Sequence, residues 1–208
     1  ANYDKKDKEN ISKWLILSFI KSIFGGSPDS VLKDMRDVLK ATTSKKFPAY
    51  EIMNKFKSHP SKNYTVDDDF IEGLLESQKG SNEAFYILHL LYPNMDYYNQ
   101  DFHQDHLHPK TVFENEAKFV AAIPDAKERQ IIKDSKLWNS VLNLQMLNGT
   151  LNAAKGDTPL KDWAKNNSKT LKDLLVPKGT SLEIADFLEF TKKRKIYLTD
   201  EIKKITKI

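Results

Sequence analysis

The chain contains no cysteine and only seven glycines and eight prolines in 208 residues. Without cysteine it can form neither a disulfide nor a thiolate metal site. That composition fits a reducing compartment, so a cytoplasmic location is expected. Long apolar runs are also missing. The longest, Trp14 to Phe24, is interrupted by Lys21 and is too short to cross a bilayer. It follows a basic stretch, as a secretion signal would, but Phe24-Gly25-Gly26 provides no small-residue cleavage site. The run therefore reads as a buried helix, and no membrane partner is expected. The formal net charge of +4 is unevenly spread: residues 191–208 hold seven Lys/Arg against Asp200 and Glu201. This basic tail permits contact with a polyanion without defining a binding face.

Hydrophobic residues make up 39% of the chain and charged residues 30%, enough for both a core and a hydrated surface. Eleven Phe and three Trp exclude a disordered chain. The length suits one domain, or one with a small satellite. The sequence opens Ala1-Asn2-Tyr3 without an initiator Met, as expected of a piece excised from a longer protein.

Periodicity predicts helices over residues 9–24, stopped at Gly25-Gly26, and from Ser27-Pro28, with Val31, Leu32, Met35, Val38 and Leu39 on one face. A third helix, 48–57, is expected to turn Tyr50, Met53 and Phe56 inward. Asp67-Asp68-Asp69 opens a helix over 70–77; three acids there oppose the helix dipole, a commoner use than metal binding. Ser81 caps 82–92, where His89 reads as a packed residue. Further helices are expected over 113–122, 125–134, 150–155, 159–166, 170–175, 181–195 and 200–207. Pro109 and the clustered His and Asp residues oppose a long helix over 101–109, leaving a strand or turn. Leu144 and Met146 alternate with Asn143 and Gln145 as a short strand, and Asn148-Gly149 marks a turn. The expected fold is mainly α (α+β), a helical domain with a small β insertion. Three parts are expected: a helical subdomain at 1–92, the β-bearing segment at 93–170, and C-terminal helices at 171–208 that pack back on the helical part.

Polar chemistry concentrates in Phe102-His103-Gln104-Asp105-His106-Leu107-His108-Pro109, which holds three of the five histidines. A second cluster runs from Asn143-Leu144-Gln145-Met146-Leu147 to Asn152-Ala153-Ala154-Lys155. Asp105 offers a carboxylate and Asn152 an amide oxygen, a pair able to hold one hard divalent cation with positions left for water and phosphate oxygens. His106 is a neutral base near pH 7. Strand neighbours point to opposite faces, so Asp105 and His106 can serve one phosphate only at a strand end or bulge. Lys155, three residues after Asn152, shares its helical face and could hold the phosphate. The alternatives are a zinc-binding hydrolase using His103, His106 and His108, and a DNA-binding or inter-domain module without activity.

The ordered set Asp105-His106-Leu107-His108-Pro109, Asn143-Leu144-Gln145-Met146-Leu147, Asn152-Ala153-Ala154-Lys155 resembles the HNH (His-Me finger, ββα-metal) nuclease motif. Together with Leu90-Leu91-Tyr92-Pro93 and Pro159-Leu160-Lys161-Asp162-Trp163, it is similar to the C-terminal domain of bacterial restriction and phage-defence proteins of the GmrSD kind. Those proteins carry an N-terminal ParB/sulfiredoxin-like nucleotidase domain, which the resemblance implies is missing here and would be a partner in the full protein. The resemblance implies a DNA endonuclease using Mg2+ or Mn2+ rather than zinc. Asp105 and Asn152 would be its metal ligands, His106 its general base and Lys155 its phosphate contact, with Asn143 bracing the turn. His108 departs from the group, which more often has an apolar residue there. His108 would support the metal ligands, touch the substrate or do neither, and His103, two positions before Asp105, would make a structural hydrogen bond or join the ligands.

Overall fold

The structure, a computed structural model, describes residues 4–206, so Ala1–Tyr3, Lys207 and Ile208 fall outside it, as does the last residue of the expected 200–207 helix. The chain is mainly α with one two-stranded antiparallel sheet. It divides into two compact units: one runs to Asp67 and includes the segment from Lys203 onward, and the other is Asp68–Ile202. Among the described residues no helix is long and apolar enough to cross a membrane.

The smaller unit contains α1 (Lys5–Ile20), α2 (Pro28–Ala41) and α3 (Ala49–Lys55). Its core includes Leu17, Ile20, Ile23, Val31, Met35, Ile52 and Phe56. Two expectations change here. The first helix is ended by Ser22 (φ 49°) and not by the glycines. That left-handed turn swings Ile23 back into the core, where it is fully buried, and its N–H bonds to the Ser18 carbonyl at 2.9 Å. Tyr50 faces outward at 65% exposure, because Ile52 and Phe56 take the inward face of α3.

The larger unit opens with α4 (Asp68–Leu75) and α5 (Asn82–Leu91). Ser81 caps α5 as expected, its hydroxyl accepting from Ala84 N–H at 3.1 Å. Strand β1 (Phe102–His106) follows, then α6 (Lys110–Glu114), α7 (Glu116–Ala122), α8 (Ala126–Ile132) and α9 (Ser135–Trp138). Asn115 splits the expected 113–122 helix because its side chain caps α7 through Lys118 N–H. A 3-10 turn at Val141–Asn143 leads into β2 (Leu144–Asn148), α10 (Gly149–Lys155) and α11 (Leu160–Asn166). Residues 171–175 form turns instead of the expected helix. The Asp173 carboxylate draws in both Thr170 N–H and its hydroxyl, and Leu175 takes φ 53°. The last two expected helices merge into α12 (Phe187–Ile205). Its buried residues Phe187, Leu188, Phe190 and Thr191 lead into Arg194, Leu198 and Ile202 at steps of three, four and four, so the packed stripe has no break near 195–200.

These packings replace the expected divisions at 92 and 170. Helices α4 and α5 belong with the sheet, α5 lying against both strands. The segment after 170 joins the core of the site-bearing segment. Phe187, Leu188, Phe190 and Leu174 cluster with Leu107, Phe119, Ile132, Leu147, Leu160 and Trp163. Arg194 is fully buried, and its guanidinium donates to the carbonyls of Val141 (3.0 Å), Leu142 (2.8 Å) and Leu144 (2.8 Å). Arg194, one of the tail's basic residues, is thus an interior anchor for the start of β2, and Lys192, Lys193, Lys195, Lys203 and Lys204 lie with it on α12.

Candidate active site

The site is built on β1, β2 and α10. The strands pair antiparallel with Asp105 opposite Gln145, His103 opposite Leu147 and His106 opposite Leu144. Asn148 ends β2 and caps α10, its side chain accepting from Leu151 N–H at 2.8 Å. The helix therefore starts where the strand stops, and it packs on both strands.

Asn143 fixes the geometry at the far end of the pair. It is fully buried and reaches back across the sheet's open end. Its carbonyl accepts from Leu107 N–H at 2.7 Å, and its Oδ1 accepts from His108 N–H at 2.9 Å. Its Nδ2 donates to the carbonyls of His108 (3.0 Å) and Trp138 (2.9 Å). Both ends of the amide are committed to backbone, so Asn143 braces the turn and has no polar group left for a ligand.

His103 and Asp105 share one face of β1, as positions two apart in a strand must. Helix α10 covers that face. Asn152 meets His103, Nδ2 to Nδ1 at 3.3 Å, and Lys155 meets Asp105, Nζ to Oδ2 at 3.1 Å. Gln145 donates to the same Oδ2 at 3.0 Å from directly across the strand pair. Lys155 is 1% exposed, and its ammonium also donates to the His106 carbonyl at 2.5 Å. This corrects the expectation for Lys155. Its position on the Asn152 side of α10 points it into the sheet, where it neutralises Asp105 and ties down the end of β1. It is not presented to a phosphate.

His106 is the last residue of β1, the strand-end placement that the Asp-His pair requires. Its Nε2 lies 3.0 Å from Asn139 Oδ1. Asn139 turns its Nδ2 toward Gln78 Oε1 at 3.4 Å, which is consistent with the oxygen facing the imidazole. An amide oxygen only accepts, so Nε2 carries the proton and the lone pair sits on Nδ1. Burial, followed by the nearby Lys79 cation, pulls the His106 pKa down to about 4, against weaker support from Asn139 and Asp105. The ring is neutral at pH 7, the form a base must start from.

The three clustered histidines do not converge. His103 is exposed beside Asn152, His106 turns to Asn139, and His108 is 1% exposed between Phe187 and Phe190, with ring centroids 5.5 and 4.7 Å away. The three side chains take separate partners, and no group of three His, Asp or Glu among the described residues is arranged to hold a metal. His108 is accordingly a core residue packed on Phe187 and Phe190 and not a partner of Asp105 or Asn152. His89 is likewise packed, stacked on Tyr97 at 3.9 Å.

The fit to a hard cation rests on oxygens. Asp105 Oδ1 and Asn152 Oδ1 accept no hydrogen bond among the described residues, and both side chains belong to the His103/Asp105 face under α10. Two such oxygens suit an ion that retains several waters. Three contributors were not singled out from sequence. Gln145 lies within the polar cluster Asn143–Leu147, but only the strand register puts it opposite Asp105. Asn139 and Lys79 come from segments with no local signal. No protein-family model and no curated protein matches this chain.

Proposed function

We propose that the chain is a metal-dependent endonuclease module that hydrolyses DNA phosphodiesters. The observation that carries this reading is the β1–β2–α10 unit. It brings Asp105 and Asn152 to one strand face and ends the strand on a neutral, Asn139-oriented His106. In the proposed reaction His106 Nδ1 takes a proton from water, and the resulting hydroxide attacks phosphorus. The bond to the leaving oxygen breaks, and that oxygen acquires a proton from solvent. Asp105 and Asn152 would hold Mg2+ or Mn2+, which supplies positive charge to the phosphate and leaving oxygen. Lys155 keeps Asp105 aimed, and Asn143 and Gln145 hold the strand ends in register. The resemblance to restriction and phage-defence proteins extends the proposal to a cytoplasmic protein working beside a nucleotidase domain.

A second reading has one observation in its favour. The Asp105–Lys155 ion pair already neutralises the carboxylate that a metal would use. A DNA-binding or inter-domain module without catalysis would retain the same pair for stability. Plasmid cleavage by the purified chain with Mg2+, Mn2+ or EDTA, beside His106→Ala, separates the two. Metal-dependent cutting that is lost in a folded His106→Ala protein is the expected result. Equal cutting by both proteins, or none by either with or without the nucleotidase partner, overturns it.

A further inference from the structure

Three lysines other than those of the basic tail gather at the site, and they are not equivalent. Lys155 is buried and committed to Asp105 and the His106 carbonyl. Lys110 is exposed but pairs with Glu114 at 3.4 Å. Lys79 is exposed, and its ammonium makes no ion pair or hydrogen bond among the described residues. It nevertheless lies within electrostatic range of Asp105, His106, Lys110 and Lys155.

Lys79 is held there by its backbone. The loop after α4 is clipped on one side to the segment that bears Asn139. Lys79 N–H donates to the Asn139 carbonyl at 2.8 Å, Val141 N–H donates to the Ser77 carbonyl at 3.0 Å, and Gln78 bridges to Ser140. On the other side Gln104, on the His106 face of β1, grips the loop twice. Its Oε1 accepts from Gly80 N–H at 2.7 Å, and its Nε2 donates to the Ser81 carbonyl at 3.1 Å. Gly80 supplies the left-handed φ of 91° that the turn needs. Both clips attach to the elements that orient His106, so the base and the Lys79 backbone share one frame.

We propose that Lys79, and not Lys155, is the cation that meets the DNA phosphate at this site. The assignment rests on the nuclease reading for its ligand and on the loop geometry for the residue. A free ammonium on a pinned backbone, beside a base and a candidate metal carboxylate, can contact a phosphate oxygen without breaking an existing bond. Partial burial of the Lys79 ammonium lowers its pKa, Asp105 opposes that shift, and Lys110 and Lys155 add to it by repulsion that an arriving anion offsets.

The test measures binding of a short duplex DNA by fluorescence anisotropy across a salt series. It uses the full chain carrying His106→Ala, so that no turnover is needed. Lys79→Ala in that background is expected to weaken binding and reduce the magnitude of the log K–log salt slope by about 0.9, the contribution of one phosphate contact. Lys79→Arg should restore the slope, and Lys127→Ala, an exposed lysine on α8, should leave it unchanged. An unchanged affinity and slope in Lys79→Ala overturns the assignment, as does a parent protein that does not bind the duplex. The nuclease reading is scored separately by plasmid cleavage. Lys79-dependent binding with no His106-dependent cleavage sinks the nuclease reading alone, and His106-dependent cleavage with Lys79-independent binding sinks this one alone.

Discussion

Replacing His108 with leucine should make the larger unit less sensitive to acid. His108 is enclosed by Phe187 and Phe190 in edge-to-face contacts, and its Nε2 has no hydrogen-bond partner. Burial, then Lys155 and Arg194, depresses its pKa from 6.5 to about 3. A histidine with a depressed folded-state pKa stays neutral in the fold while the unfolded chain takes up a proton below 6.5. Its contribution to stability is therefore present above that value and is lost as pH falls toward 3. Between pH 7 and pH 5 the loss from this one group is about 2 kcal/mol. At pH 7 the substitution removes an unsatisfied buried nitrogen, a gain of about 1–3 kcal/mol. It also gives up two ring contacts worth about 0.5–1.5 kcal/mol each. These terms nearly cancel, but neither depends on pH, so the difference between the two pH values isolates the titration. His106 also has a lowered pKa, but it is present in both proteins and drops out of the comparison. The assay is urea unfolding at pH 7 and pH 5 on a Trp14→Phe background, so that Trp138 and Trp163 report on the larger unit. His108→Leu should lose about 2 kcal/mol less than its parent over that range. Equal losses in the two proteins would refute the argument.

Arg194→Lys should destabilise the larger unit by about 3 kcal/mol, because one ammonium cannot reach the Val141, Leu142 and Leu144 carbonyls that the planar guanidinium serves together. A thermal melt within a degree of wild type would contradict that role. Lys155→Met should cost roughly 3–5 kcal/mol without metal, since it leaves the Asp105 carboxylate buried and unpaired. If Asp105 binds the cation, added Mg2+ or Mn2+ should raise the melting temperature of Lys155→Met more than that of wild type, and an equal response would remove Asp105 from the ligand set.

What the sequence alone determined was mostly local. The cap at Ser81 acts through a hydrogen bond three residues away, so α5 was readable from a few neighbouring letters, whereas Asn148 read only as a turn and its capping of α10 came from the structure. Apolar alternation marked Leu144–Leu147 as a strand, and Pro109 with clustered polar residues marked where β1 ends. The likeness to a known motif named Asp105, His106, Asn143 and Asn152 without any geometry. Where local signals competed, they misled. Asn115 was read as an ordinary helix position although its side chain stops one helix and starts the next. The α12 stripe was cut in two because its charged letters hide a buried Arg194. Only tertiary structure could set what depends on closing long loops: the Asp105–Gln145 register, the inward turn of Lys155, the scattering of three adjacent histidines and the seat of Lys79. Sequence spacing says which residues share an element's face. Whether that face meets solvent or another strand is decided by the packing of segments such as 76–81, 107–143 and 187–202, whose contacts come from far along the chain.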